Sequence, residues 1–190
     1  MSDKEIEIQV RVSDIKKLKK FLDEKAKFIG EKYQKDEYFS PAHRNFLAQK
    51  SVAEWLRLRD SDDSSITYKN WHYAKNGKSH YCDEYESKIE NIDQLRKIFK
   101  ALDIKLIVTV EKTRSLWNYK DYEIAIDTVT DLGDFVEIEY KGSDSPADPG
   151  KITDGMIAFL KKVDCGKIER NFVGYPFMLL YPEDQVFEEI

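Results

Sequence analysis

Charged side chains recur at every second position in run after run of this chain, and that alternation restricts its fold more than any other feature. From Glu5 to Val12, Ile6, Ile8, Val10 and Val12 take one face while Glu5, Glu7, Gln9 and Arg11 take the other. The run 55–59 sets Trp55, Arg57 and Arg59 against Leu56 and Leu58, and Lys69 shares a face with Thr67 on the next run. Glu84 and Glu86 flank Tyr85, and Lys112 and Arg114 stand opposite Thr113 and Ser115. Asp127 faces away from Ile124 and Ile126, and Glu137 and Glu139 oppose Val136 and Ile138. Successive side chains of a strand point to opposite sides, so each run has one strongly polar face. Acids and bases also keep to separate strands, unlike the mixed signs of an ordinary solvated surface. An antiparallel sheet with one solvated face shows the same alternation, but long strands of this kind can close into a barrel with a polar lumen and helices over the apolar outside.

The remaining periodicity supports that architecture. Strand-like runs at 33–40, 52–60, 65–72, 80–88, 106–117, 120–128 and 133–142 join the one at 5–12, with turn signals at Asp62-Asp63-Ser64-Ser65 and Asn76-Gly77. Ser13 and Asp14 offer caps for a helix buried through Ile15, Leu18, Phe21 and Leu22, and further helices read from about Asp93 to Leu102 and from Thr153 to Val163 after the Pro146 and Pro149 loop. The expected fold is α+β, a closed antiparallel eight-stranded β-barrel with a polar lumen and helices outside, forming a single domain over residues 1–190. A weak repeat agrees: Ile15, Leu18, Phe21 and Leu22 recur 77 positions later as Ile92, Leu95, Ile98 and Phe99, and Glu7, Gln9 and Lys35 map onto Glu84, Glu86 and Lys112. Two strand–helix–strand units then pair into one body.

At 190 residues the chain can bury a core without disulfides or a structural metal, and 13% aromatic residues argue against disorder despite 35% charged residues. The 31 Lys+Arg nearly balance the 36 Asp+Glu, which gives no broad footprint for duplex nucleic acid or an anionic membrane. The Lys16, Lys17, Lys19, Lys20 run reads as the solvated face of the first helix. Cys82 and Cys165 form no CxxC pair and suit a reducing compartment. No apolar run approaches the roughly 20 residues that cross a bilayer, and Met-Ser-Asp-Lys-Glu lacks a signal-peptide core, so a cytoplasmic location is expected.

A lumen with a cationic wall and a carboxylate wall makes a specific chemical demand. Guanidinium and ammonium groups neutralise phosphate oxygens, and carboxylates hold Mg²⁺ or Mn²⁺ that bridges others. A polyphosphate satisfies both. With no Gly-x-x-x-x-Gly-Lys loop in the sequence, side chains rather than a helix N-terminus would hold the phosphates.

Several short motifs in order resemble the CYTH superfamily, the triphosphate tunnel proteins that include class IV adenylyl cyclases, thiamine triphosphatases and inorganic triphosphatases. They are Glu5-Ile6-Glu7, Leu56-Arg57-Leu58-Arg59, Thr67-Tyr68-Lys69, Glu111-Lys112-Thr113-Arg114, Ile126-Asp127 and Leu132-Gly133-Asp134-Phe135-Val136-Glu137-Ile138-Glu139, and the likeness covers about residues 3–142. The resemblance implies metal ligands at Glu5, Glu7, Asp127, Glu137 and Glu139, and triphosphate contacts at Arg57, Arg59, Lys69, Lys112 and Arg114. Catalysis would fall to Glu5, Glu7, Glu137, Lys112 and Arg114, with Mg²⁺ or Mn²⁺ as cofactor, and a homodimer is also implied.

The layout looks closest to the class IV cyclase group, which converts ATP to cyclic AMP and pyrophosphate. A triphosphatase acting on thiamine triphosphate, tripolyphosphate or a nucleoside triphosphate uses the same parts, and a non-catalytic triphosphate binder is a third reading. The family's Glu-x-Glu-x-Lys ends here in Gln9, whose amide donates a hydrogen bond without positive charge; Arg11, on the same face, is the candidate substitute. Trp55, in a setting similar to that of animal thiamine triphosphatases, is a candidate for stacking on a base or other organic group, although packing is the commoner use of tryptophan. His43, His72 and His80 lack metal-ligand spacing. The tail around Tyr175, Leu179 and Leu180 resembles the family's C-terminal segment and is expected to pack on the barrel.

Overall fold

The computed structural model describes residues 4–49, 52–73, 79–142, 148–185 and 187–190. One sheet holds eleven strands, and every ladder in it is antiparallel. The strands are β1 (Lys4–Glu5), β2 (Glu7–Val12), β3 (Lys27–Pro41), β4 (Glu54–Asp60), β5 (Ser65–Tyr73), β6 (Ser79–Lys88), β7 (Ile104–Tyr119), β8 (Tyr122–Val129), β9 (Gly133–Tyr140), β10 (Ile168–Asn171) and β11 (Glu188–Glu189). The helices are α1 (Ile15–Lys25), α2 (Ile92–Ala101), α3 (Pro149–Val163) and α4 (Tyr175–Leu180). None of the described helices is long and apolar enough to cross a membrane. The expected turn at Asn76-Gly77, the loop at Pro146 and the side chain of His80 lie outside the described residues.

The sheet order, β1-β6-β5-β4-β3-β7-β8-β9-β2-β10-β11, corrects the expectation of a closed eight-stranded barrel: the order has ends, at β1 and β11. The expected strand over 5–12 is broken at Ile6. Lys4 and Glu5 pair with Asp83 and Cys82 of β6, whereas Glu7 to Val10 pair with Glu139 to Val136 of β9. One short stretch of backbone therefore meets both β6 and β9, and the intervening strands curl around a central channel. On its other edge β2 pairs with β10 only from Gln9 onward, so among the described residues the edge at 6–8 has no ladder partner between β6 and β10. The four-residue β10 and two-residue β11 are too short to carry a readable alternation.

The 77-residue repeat becomes a pairing of the two units. Their long second strands, β3 and β7, run antiparallel from Lys27↔Asn118 to Pro41↔Ile104, and β1 of one unit pairs with β6 of the other. Outside the channel, Ile6, Ile8 and Val10 bury against Leu18 and Leu22 of α1 and Met156 and Leu160 of α3, together with Ile124, Val136 and Ile138. Side-chain caps start these helices: Asp14 Oδ1 accepts from Lys17 N at 2.9 Å, and Asp148 caps α3, which opens on Pro149 and so begins a turn before the expected Thr153. Phe99 of α2 meets Phe39 edge-on at 5.0 Å over Leu58. On the inner face, Val110, Val129 and Phe135 pack with Tyr175 and Met178 of α4, and Gly174, Tyr175 and Pro176 line the channel, so the tail packs on the sheet as expected.

Candidate active site

The topology sorts the charged strands by sign. The carboxylate-bearing strands β6, β1, β2 and β9 are consecutive around the channel, and the cation-bearing β5, β4 and β7 follow with only β3 among them. The channel is a cavity of about 590 Å³. Of the ten residues that the resemblance implies as metal ligands or triphosphate contacts, all but Asp127 line it: Glu5, Glu7, Glu137 and Glu139 on the acidic side, and Arg57, Arg59, Lys69, Lys112 and Arg114 on the basic side. Glu84 and Glu86 extend the acidic wall.

Two buried aspartates anchor the cationic wall. Asp36 of β3 is fully buried and accepts both prongs of the Arg59 fork, Nε to Oδ1 and Nη2 to Oδ2 at 2.7 Å each. Arg57 Nη1 lies 3.9 Å and Lys112 Nζ 3.7 Å from the same carboxylate. Burial would raise the Asp36 pKa, but these three cations hold it well below the ordinary carboxylate range. Asp127 does the same for Arg114, accepting Nε at 2.7 Å and Nη2 at 2.5 Å while the Tyr175 hydroxyl donates to it at 2.9 Å. Arg114 also bonds Glu137 of β9, on the far side of β8. Bidentate carboxylates fix guanidinium planes, so the phosphate-facing edges are held in place before any ligand arrives. Lys112 is pushed down in pKa by burial and by Arg114 beside it.

The acidic wall is crowded. Lys69 bonds Glu5 and stands 3.3 Å from Glu84, and the Cys82 thiol donates to Glu5 at 3.1 Å. Burial would raise Glu5, yet Lys69 and these hydrogen bonds bring it down to about 2. Glu137 is likewise held low, chiefly by Arg114 and Lys112 acting against burial. Glu7 is pushed up by burial and by Glu5, Glu137 and Glu139, Glu139 is raised by burial and Glu5, and Glu84 rises to about 7 through burial. Carboxylates that must share so small a space lack positive charge. Glu5, Glu7, Glu137 and Glu139 are an all-oxygen donor set, which suits a hard divalent ion such as Mg²⁺ or Mn²⁺. Among the described residues, the one group of three His, Cys, Asp or Glu donor atoms within 4.8 Å of one another is that of Glu5, Cys82 and Glu84.

Gln9 bridges the acidic wall to β10, donating to Glu137 at 2.9 Å and accepting from Asn171 at 3.3 Å. Arg11 does not stand in for the family lysine: its guanidinium lies over the Phe135 and Phe187 rings, at 4.6 and 4.3 Å, and donates to the Leu132 carbonyl at 3.0 Å. It is held outside the channel by those partners. Trp55 borders the cavity but is only 5% exposed, edge-on to Tyr38 at 5.6 Å and packed with Phe177. His72 bonds Asp83 at 2.7 Å and stacks on Tyr81, away from the channel lining.

Alternation alone had passed over Asp36, Trp71 and Tyr175. Asp36 shares its face with Gln34 and Tyr38, and Trp71 lies two beyond Lys69 on the face that carries Arg57's neighbours. A single charge or ring in a run is a weak signal, whereas Tyr175 reaches the site from a helix that strand parity cannot place.

The match of the CYTH domain model to residues 3–162 decides the family. The chain belongs to the CYTH family. A Methanocaldococcus jannaschii protein named "Putative adenylate cyclase" is 35% identical to this CYTH protein over 165 residues, covering 86% of this chain and 91% of the relative. Among solved structures, the PH1012 protein of Pyrococcus horikoshii is 25% identical with a TM-score of 0.67, covering 84% of this chain and 89% of its own. A Hippeastrum protein described as a "Putative adenylyl cyclase" with a dominant triphosphatase activity is similar in fold to the CYTH protein, with a TM-score of 0.65 at 18% identity over 96% of this chain and 97% of its own.

Proposed function

We propose that this CYTH protein is a divalent-metal-dependent enzyme that processes a triphosphate, converting ATP to cyclic AMP and pyrophosphate. The observation that carries this reading is the division of one channel into contiguous cationic and carboxylate walls. The carboxylates of Glu5, Glu7, Glu137 and Glu139 would hold the ion, which supplies charge neutralisation at the phosphates and a lower pKa for an attacking hydroxyl. Asp127, with both oxygens engaged by Arg114 and Tyr175, acts as a positioning residue for Arg114 rather than as a ligand.

Arg57, Arg59 and Lys69 hold phosphate oxygens, and Lys112 and Arg114 stabilise the charge that gathers on the departing pyrophosphate. In the cyclisation the ribose 3′-hydroxyl gives up its proton to water and its oxygen bonds to the α-phosphorus, the bond from that phosphorus to the bridging oxygen breaks, and pyrophosphate leaves, taking up a proton from water. The same walls position water for hydrolysis, and the dominant triphosphatase activity of the Hippeastrum protein supports triphosphate hydrolysis as the second reading.

Incubation with Mg²⁺ or Mn²⁺ and ATP, thiamine triphosphate or tripolyphosphate, followed by product separation, tests both. Cyclic AMP with pyrophosphate supports the first reading and orthophosphate the second, whereas tight binding without turnover leaves a binder. Glu137→Ala is expected to lower the metal-dependent rate by at least about a hundredfold. Full activity in that variant would overturn the metal assignment.

A further inference from the structure

Gln9 stands where the resembling family has a lysine, and the change alters more than charge. An ammonium has donors only, whereas a carboxamide has a donor end and an acceptor end of nearly the same shape, and only one of them suits a neighbouring carboxylate. Something must choose which end faces Glu137. The sheet register supplies the candidate. Asn171 of β10 lies opposite Gln9 of β2, and Gln9 lies opposite Glu137 of β9, so the three side chains form one row across adjacent strands on the channel side. Directly opposed side chains in such a row are within reach of one another.

The polarity of this row is set at its Asn171 end. The backbone N–H of Val173 donates to Asn171 Oδ1 at 2.7 Å, and a backbone N–H cannot accept. Asn171 Nδ2 is therefore turned the other way, where it meets the Met178 sulfur at 2.9 Å and donates to Gln9 Oε1 at 3.3 Å. A thioether has no donor, so Val173 and Met178 demand the same setting of the Asn171 amide. With its oxygen engaged by Asn171, Gln9 turns Nε2 to Glu137 Oε1 at 2.9 Å, while Arg114 takes Oε2. Reversed, the Gln9 amide would set its oxygen against the carboxylate. Asn171, only 5% exposed, would then meet donor with donor in a buried site.

We propose that Asn171 is a positioning residue for Glu137, acting through Gln9 to fix the Oε1 edge of that carboxylate while Arg114 fixes the other. The inference rests on the reading of Glu137 as an ion-binding carboxylate and adds the residue that orients it from the neighbouring strand. Hydrogen bonds behind a ligating group typically change ion affinity by roughly 10–100-fold when they are lost. Through Val173 and Met178 the same row ties the acidic wall to α4 and the residues that lead into it.

Calorimetric titration with Mn²⁺ across a double-mutant cycle tests this. Asn171→Ala is expected to weaken Mn²⁺ binding on the order of tenfold in the wild-type background and to change it by less than about twofold in a Gln9→Met background, where no amide remains to be oriented. Asn171→Asp covers the case in which the alanine variant does not fold. Its carboxylate still accepts from Val173 but gives Gln9 no donor, so it should show the same loss relative to its own effect in the Gln9→Met background. Equal fold-changes in the two backgrounds, as a role confined to holding β10 and α4 together would give, or no change in either, overturn the inference. Glu137→Ala separates it from the reading on which it rests: a loss of Mn²⁺ affinity there supports that reading whichever way the cycle falls, and an unchanged affinity sinks both.

Discussion

Three cations converge on Asp36, so removing its charge would leave Arg57, Arg59 and Lys112 facing one another in a buried site. Breaking a buried pair by deleting one partner typically costs about 3–5 kcal/mol, and Asp36→Asn is expected near the lower figure because the amide keeps a hydrogen bond. The sign with pH follows from the depressed pKa. The stabilisation is fully present above the ordinary aspartate value of about 4 and is lost as pH falls toward the folded-state value, so the gap between wild type and variant should narrow in acid. Denaturant unfolding at neutral pH and at about pH 3 checks this, and a gap independent of pH would mean that the charge of Asp36 is not what matters. At Gln9 the expected change runs the other way: Gln9→Lys places an ammonium beside Glu137, and turnover on a triphosphate should rise severalfold. An unchanged or lower kcat would show that the charge is not missed. Nine of the ten residues that the resemblance implies line the channel, in keeping with the strand face each shares by alternation, because parity in a strand is geometric. Asp127 satisfies the same parity but is withdrawn behind Arg114 and Tyr175, a depth that depends on side chains from β7 and α4.

Elements with long alternation or helical spacing were legible, and those fixed by tertiary pairing were not. The strands over β3 to β9 and helices α1 to α3 all had a sequence signal, whereas β10 exists because its backbone pairs with β2 on one side and β11 on the other. The split at Ile6 has the same origin, since nothing in Glu5-Ile6-Glu7 says that its two ends will meet different partners. The link from α3 to β10 carries its own requirement. Gly166 has φ of +81°, and a Cβ there would press into the Ser13 hydroxyl, which accepts from Lys167 N at 2.9 Å. Gly166→Ala should therefore cost more than the roughly 1 kcal/mol of a positive-φ alanine alone. A thermal unfolding midpoint within a degree of wild type would mean that the turn relaxes freely.

Across the whole molecule a formal net charge of −5 conceals two opposed fields facing each other across one cavity. A polyphosphate alone meets the acidic wall as well as the basic one, and a divalent ion alone meets the basic wall as well as the acidic one. Added together, tripolyphosphate and Mg²⁺ should raise the thermal midpoint by more than the sum of their separate shifts, with about 2.7 kcal/mol of stabilisation at a hundredfold excess over Kd. Strictly additive shifts would mean that the walls act independently. The break at Ile6 also bears on how the chain reaches this state. Nine residues, 4–12, take partners around 82–83, 136–139 and 168–171, all distant in sequence. During synthesis from the N-terminus, that segment must wait until most of the chain has emerged, so the completion of the wall is a late, post-translational event.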